Sequence, residues 1–319
     1  MRPNSDRTKL LVMTGLAALA LILYIVVGLN SRNWQYALSL RVPKLIAIVL
    51  TGCAIAVSTV VFQTVTNNRI LTPSIMGLDS LYLLIQSLAL YVFGANSQIV
   101  VNPKLNFALA VVGMIGFAVL LYRLLFRRED HDLLFLLLVG VIMGTFFDSG
   151  SSFVQMVIDP NEFATLQNRM LASFNNVNTD ILWIAGAVLA VVLVYTSRYT
   201  HILDVLALGR EHAINLGIRY EAVVRRLLIL VAIMVSVSTG LVGPIMFLGL
   251  LVANMAREIL TAHYHKYLLI AACLISVLAL TGGQFLAERV FNFATPISVV
   301  INLVGGLYFI LLLLKESRA

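Results

Sequence analysis

An all-α, polytopic membrane fold of about ten transmembrane helices, with both termini cytoplasmic, follows from three features of this sequence. First, 60% of its 319 residues are hydrophobic and only 12% are charged, against roughly 45–50% and about 25% in a soluble domain. Second, the mean hydropathy is +0.96, and 22 basic and 15 acidic residues are too few to surface a soluble protein of this length. Third, those charges sit in short clusters between long apolar runs. The clustering makes the net charge of +7 a topological signal, since Lys and Arg mark cytoplasmic loops. It excludes the basic face that nucleic acid would need.

The first run, Leu10 to Leu29, is about 20 residues, enough to cross a hydrocarbon core of ~30 Å. Asn30-Ser31-Arg32-Asn33-Trp34 follows it in place of a small-x-small cleavage site, so it reads as an uncleaved first span. Further spans are drawn at 45–66, 80–96, 105–122, 133–157 and 181–197. The uncharged run from Leu227 to Ala256 would be about 45 Å as one helix, too long for a single crossing. Gly240, Gly243 and Pro244 divide it into 227–242 and 244–260. Spans at 267–287 and 297–314 complete the ten. With this count the N-terminus, the loops at 67–79, 123–132, 198–226 and 257–266 and the C-terminus hold 16 Lys and Arg, and the other side holds six. A shift of one span would scramble that asymmetry.

The chemistry-bearing residues are sparse. Cys53 and Cys273 lie in apolar runs and read as buried thiols packing as small hydrophobes. His131, His201, His212, His263 and His265 fall in cytoplasmic loops with no ligand set at metal spacing. Neither GxxxxGK[ST] nor GxGxxG after a strand occurs, so the chain is read as a non-enzyme without catalytic residues, metal or cofactor. Asp148, in the fifth span, is a functional candidate because acids inside membranes are costly; an ion-coupled secondary transporter is the alternative class. Val57-Ser58-Thr59 recurs as Val237-Ser238-Thr239, followed by PSIMGL from Pro73 and PIMFLGL from Pro244. Inverted repeats are common in transporters, but the spacing differs between the halves, and chance accounts for the echo as well.

Residues 201–226 read HILDVLALGREHAINLGIRYEAVVRR, a pattern for two short helices broken at Gly209 and Gly217. Exposed apolar residues on such a pair suit a protein-docking surface; a helix lying on the membrane is the alternative. Ser58, Thr59, Gln63, Ser236 and Ser238 sit on otherwise apolar helices, where they line a hydrated path or serve helix packing. On the outer face Arg41 and Lys44 are three apart and share a helical face, and Arg289 ends the ninth span. Partner docking and snorkelling to headgroups both account for them.

Four ordered stretches resemble the FecCD-type permeases, the membrane subunits of bacterial ABC importers for iron–siderophores, haem and cobalamin. RVPKLIAIVLTGCAIAVSTVVFQTVTNNRILTPSIMGL (41–78) is similar to the family's R-x-P-R opening and N-P-L-A-x-P-x-x-L-G continuation. DVLALGREHAINLGI (204–218) resembles L-G-x-x-x-A-x-x-L-G, GLVGPIMFLGLLVANMAREI (240–259) resembles G-x-I-x-F-[IV]-G-L-[IV]-x-P-H-x-x-R, and the last span resembles the family's ending. The chain departs at Lys44, Asn68-Arg69-Ile70, Ala253-Asn254 and Gly305-Gly306-Leu307-Tyr308-Phe309, a divergent branch that leaves the chelate unnamed. The resemblance implies one permease domain over 1–319 in the bacterial cytoplasmic membrane, with a coupling element at about 199–226. It implies a second permease subunit, a cytoplasmic ATPase dimer and an extracytoplasmic substrate-binding protein as partners. Asp204, Leu208, Gly209, Glu211, Ala213, Leu216 and Gly217 would meet the ATPase; Arg41 and Lys44, with Arg289 added by position, would receive acidic knobs of the binding protein. An iron–siderophore is the favoured cargo, ahead of haem or cobalamin.

Overall fold

The computed structural model describes residues 3–27, 34–125, 133–175, 177–261, 264–293 and 295–316. Arg32, His131 and His263 lie outside the described residues. Those described form helices joined by short irregular segments: α1 (Pro3–Val26), α2 (Trp34–Val65), a 3-10 turn (Pro73–Met76), α3 (Leu78–Phe93), α4 (Gln98–Val101), α5 (Pro103–Leu125), α6 (Leu133–Val157) and α7 (Pro160–Met170). They continue as α8 (Thr179–Ser197), α9 (Thr200–Leu206), α10 (Arg210–Asn215), α11 (Tyr220–Val242), α12 (Leu248–Ile259), α13 (His265–Arg289) and α14 (Ile297–Glu316).

Seven of the ten segments drawn from the sequence are helices long and apolar enough to cross a bilayer: α1, α2, α5, α6, α8, α11 and α13. Leu78–Phe93 and Ile297–Leu312 are shorter apolar helices, and α12 has 12 residues. The centre of the bundle is α2, 72% buried, flanked by α11 at 67% and α13 at 61%, whereas α1 and α6 are each 22% buried and lie outside. The core is built of Ile48, Phe62, Leu227, Val231, Val252 and Leu280, all fully enclosed. The helices close on small residues: a side chain at Gly52 would strike Ser276 and Leu280 of α13, and one at Gly249 would strike Thr59 of α2. Close backbone approach of this kind gives membrane helices their packing energy.

Two helices are short because the chain penetrates the bundle before it becomes helical. Residues 66–77 run inward from the end of α2, and Gly77 lies with φ +75° against α6, where a Cβ would be 2.7 Å from the Gly144 Cα. Only glycine meets both demands. The second inward-running segment begins at Gly243, where the sequence predicts a break: α11 ends there at φ +96°, and five irregular residues lead to α12. Non-helical backbone at membrane depth is tolerated where protein surrounds it. Here each irregular segment forms part of the other's surroundings, because Thr72, Pro73 and Ser74 line the same small cavity as Ile245, Met246 and Gly249. The two strings that echo each other in the sequence therefore meet in space.

Candidate functional site

One end of the bundle carries α9 and α10. Gly209 at φ +99° and Gly217 at φ +83° allow the two reversals that fold the pair. Leu203, Leu206 and Ala213 are buried, while Leu208, Ile214 and Leu216 are 59%, 45% and 63% exposed, and Glu211 is exposed beside them. Ala213, expected at the contact surface, is instead fully enclosed and positions α10 from beneath. Asp204 also turns inward: its Oδ1 accepts from both the backbone N–H and the ring Nδ1 of His265, each at 2.7 Å. The other ring nitrogen lies 2.8 Å from the Thr64 hydroxyl on α2. His265, expected in a loop, is the first residue of α13 and is 4% exposed. It joins α9, α13 and α2 through three hydrogen bonds.

Beside this junction lies a cavity of about 210 Å³ lined by Gln63, Thr64, Asn67, Asn68, Arg69, Arg257 and His265, with Ala207, Leu260 and Leu268. Gln63 donates to the Arg69 carbonyl at 2.6 Å and accepts from Arg257. Asn254 donates to the same carbonyl at 3.1 Å. Lys9 and Asp6 of α1 close this end by bonding the Ile259 carbonyl and Thr261 respectively.

At mid-bundle the two irregular segments enclose a cavity of about 20 Å³ with Ser58, Thr59, Asp79 and Thr239 on its wall, room for about one water molecule. Asp79 is 3% exposed and accepts from the Thr239 hydroxyl at 3.2 Å. Ser58, Thr59, Gln63, Ser236 and Ser238 are all between 0% and 2% exposed. Ser58 bonds the Ile55 carbonyl, and the Ser236 and Ser238 hydroxyls have no partner among the described residues. Ser58 and Thr59 line this small cavity, and Gln63 lines the larger one beside the α9–α10 junction. Asp148 differs: it stands exposed on the outer face of α6 with Thr145, Ser149 and Ser152.

The opposite end gathers the three basic residues singled out in the sequence around the last turn of α1. Arg41 donates to the carbonyls of Tyr24, Ile25 and Val27, and Arg289 to Val27 at 2.7 Å. Carbonyls at a helix C-terminus are the ones left over by the helical ladder, and the negative end of the helix dipole attracts both guanidinium groups. Lys44 pairs with Glu288 at 3.0 Å and donates to Asn175 at 3.1 Å; Glu288 also accepts from Tyr24 and Gln284. An open groove of about 360 Å³ remains beside them, lined by Tyr36, Leu40, Arg41, Lys44, Arg289 and Phe293 among others. Nearby, Arg169 of α7 ties that helix to Gln86 and the Val100 carbonyl, and burial holds its guanidinium below the usual arginine range.

Sequence reasoning missed Asp79, Thr64, Asn254 and Glu288. An acid beside Gly77 within an apolar stretch was the available signal for Asp79, but a span drawn from residue 80 left it in a loop. Cys53 and Cys273 are free and half-buried, the Cys273 thiol 3.9 Å from the Cys53 carbonyl.

The comparisons with known proteins agree with this architecture. The family model described as FecCD transport family matches residues 8–315. Petrobactin import system permease protein YclO of Bacillus subtilis (strain 168) is 54% identical over 98% of this chain and 99% of its own length. Petrobactin import system permease protein FatC of Bacillus anthracis is 34% identical over 91% of this chain and 82% of its own. A solved inward-facing structure described as of the metal-chelate ABC transporter type superposes with a TM-score of 0.85 at 21% identity, covering 98% of this chain and 100% of that one. A family model spanning nearly the whole chain, together with a relative more than half identical, places this protein in the FecCD transport family.

Proposed function

We propose that the chain is the permease subunit of a bacterial ABC importer that moves a ferric siderophore into the cytoplasm, with ferric petrobactin the first chelate to test. The near full-length likeness to a petrobactin permease carries this reading. Likeness to a haemin permease and to vitamin B12 permeases is lower, at 25–26%, so haem and cobalamin rank behind. In this reading residues 1–319 form one permease domain that crosses the membrane ten times with both termini in the cytoplasm. α9 and α10, within 199–226, receive a partner ATPase through Leu208, Glu211 and Leu216, with Gly209 and Gly217 setting the turns and Asp204 and Ala213 the seating. ATP is hydrolysed on that partner, and the motion reaches α13 and α2 through Asp204, His265 and Thr64. The cycle biases the bundle between inward- and outward-open forms.

A second permease would cover the outer face of α6. Asp148 is exposed there in a helix apolar enough to span, and a carboxylate facing lipid is costly, so a water-lined path between two subunits suits it. An extracytoplasmic binding protein would deliver the chelate at the end bearing Arg41, Lys44 and Arg289. The test is uptake of ⁵⁵Fe-petrobactin, ⁵⁵Fe-haem and labelled cobalamin by a strain lacking this chain. Loss of petrobactin uptake alone, restored by the intact gene, is expected. Undiminished petrobactin uptake with loss of haem or cobalamin uptake would overturn the substrate.

A further inference from the structure

We propose that the cavity of about 210 Å³ beside the α9–α10 junction is a binding site for a single anionic oxygen group, a carboxylate or a phosphate. Three observations carry it. Two arginines, Arg69 and Arg257, line one cavity, and the His265 ring beside them is already spent on Asp204 and Thr64. No carboxylate lines it: Asp204 is taken up by His265, and among the described residues neither arginine forms an ion pair. Arg257 is half-buried, and enclosed charges are ordinarily paired, because leaving water without a counter-charge is costly.

The remaining wall is suited to an anion rather than to a metal or a neutral ring. Asn67, Asn68 and Gln63 bring side-chain amides. Gln63 accepts from Arg257 through its carbonyl oxygen and donates to the Arg69 main chain, which fixes the amide's orientation and leaves the cationic groups as donors. A guanidinium fork matches the paired oxygens of carboxylate or phosphate. Size sets the stoichiometry. Pockets that enclose a whole drug-sized ligand run roughly 300–1,000 Å³, so this one takes one charged group, with the rest of a larger ligand outside.

Its position gives the binding a consequence. Thr64 and His265 belong both to this wall and to the junction that seats α9, and Gln63 and Arg257 tie the same wall to α2 and α12, so an anion here would pull on α2, α12 and α13 where the helical pair is held. This role rests on the importer reading; the binding itself does not. Two sources share the chemistry: a carboxylate of an anionic ferric chelate leaving the path, and free phosphate.

The test is equilibrium binding of ³²P-phosphate and of ¹⁴C-citrate to the purified full-length chain in nanodiscs of phosphatidylcholine. Saturable, salt-sensitive binding of at least one is expected, weakened about tenfold or more by Arg257→Gln and by Arg69→Gln, since each removes a charge-assisted donor. Arg69 is exposed, so its substitution leaves folding intact, and Arg257→Lys should retain most of the binding. Tighter binding of citrate, read as displacement of phosphate at a lower concentration than phosphate needs to displace citrate, would assign the site to a carboxylate-bearing chelate; equal or preferential phosphate binding would assign it to phosphate. No saturable binding of either probe, or binding indifferent to both glutamine variants, would overturn the site. Failure there would leave petrobactin uptake untouched, whereas failure of the importer reading would leave binding untouched.

Discussion

Lys44 and Glu288 meet at 3.0 Å with side chains only 15% and 12% exposed, so neither can be removed alone without leaving a charge short of solvent. Breaking a buried pair by deleting one partner costs about 3–5 kcal/mol; for this partly wetted pair Lys44→Met should cost about 2–4 kcal/mol on the same scale. Thermal denaturation in detergent should show a clearly lower midpoint for Lys44→Met and recovery of most of it in Lys44→Met/Glu288→Met. An unchanged midpoint for the single variant would return Lys44 to a purely outward role. The residue types at this end were legible in the sequence, and so was the shared face of Arg41 and Lys44. Their partners were not. The carbonyls of Tyr24 and Val27 lie at the end of a different helix, α1, and spacing within α2 carries no information about what packs across from it. For the same reason the sequence leaves Ser58, Ser236 and Ser238 open between a hydrated path and helix packing, since a buried hydroxyl and a hydrated one look alike in a string of letters.

Among the elements, α9 and α10 were read correctly as two short helices because glycine at Gly209 and Gly217 breaks the pattern in a way backbone geometry explains. Which face turns inward was not legible: α10 spans six residues, under two turns, too few for periodicity to orient it. Exposure now separates the roles. Leu216→Asp sits on an outward side chain, so the protein should insert and fold normally while ATPase association and uptake fall by about tenfold or more, an outcome read by co-purification and ⁵⁵Fe uptake. Ala213→Arg should instead lower the yield of folded protein, because a fully enclosed methyl site has no room for a charged chain. Full ATPase association by Leu216→Asp would move the docking surface elsewhere. The inward-running segment 66–77 makes a sharper demand. Gly77→Ala adds a Cβ 2.7 Å from the Gly144 Cα and an L-residue at positive φ, the latter alone about 1–2 kcal/mol; a reduced thermal midpoint is expected, and a wild-type midpoint would mean that α6 moves aside.

For the whole molecule, composition and hydropathy were enough to give a multi-spanning helical bundle, because hydropathy answers to the bilayer directly, and the length of the 227–256 run with Gly243 and Pro244 in it gave the break. The short helices were harder. α3 and α12 are short since their approaches are irregular chain buried against each other around Asp79 and Thr239, and burial of non-helical backbone leaves no hydropathy signature. The sidedness proposed from charge is testable: in a background without Cys53 and Cys273, cysteine at Leu216 should react with a membrane-impermeant maleimide only in inside-out vesicles, and cysteine at Tyr36 only in right-side-out ones. Labelling of both from one side would contradict an odd number of crossings between these two positions.

The account stands or falls on whether this bundle passes a ferric chelate under the power of a docked ATPase. The direct measurement is ⁵⁵Fe-petrobactin transport into proteoliposomes holding the chain with its cognate ATPase and binding protein, with ATP supplied on the α9–α10 side and proton and sodium gradients collapsed. The account predicts ATP-dependent accumulation that Leu216→Asp abolishes. Accumulation driven by an ion gradient without ATP, or ATP-driven uptake indifferent to Leu216→Asp, would contradict it.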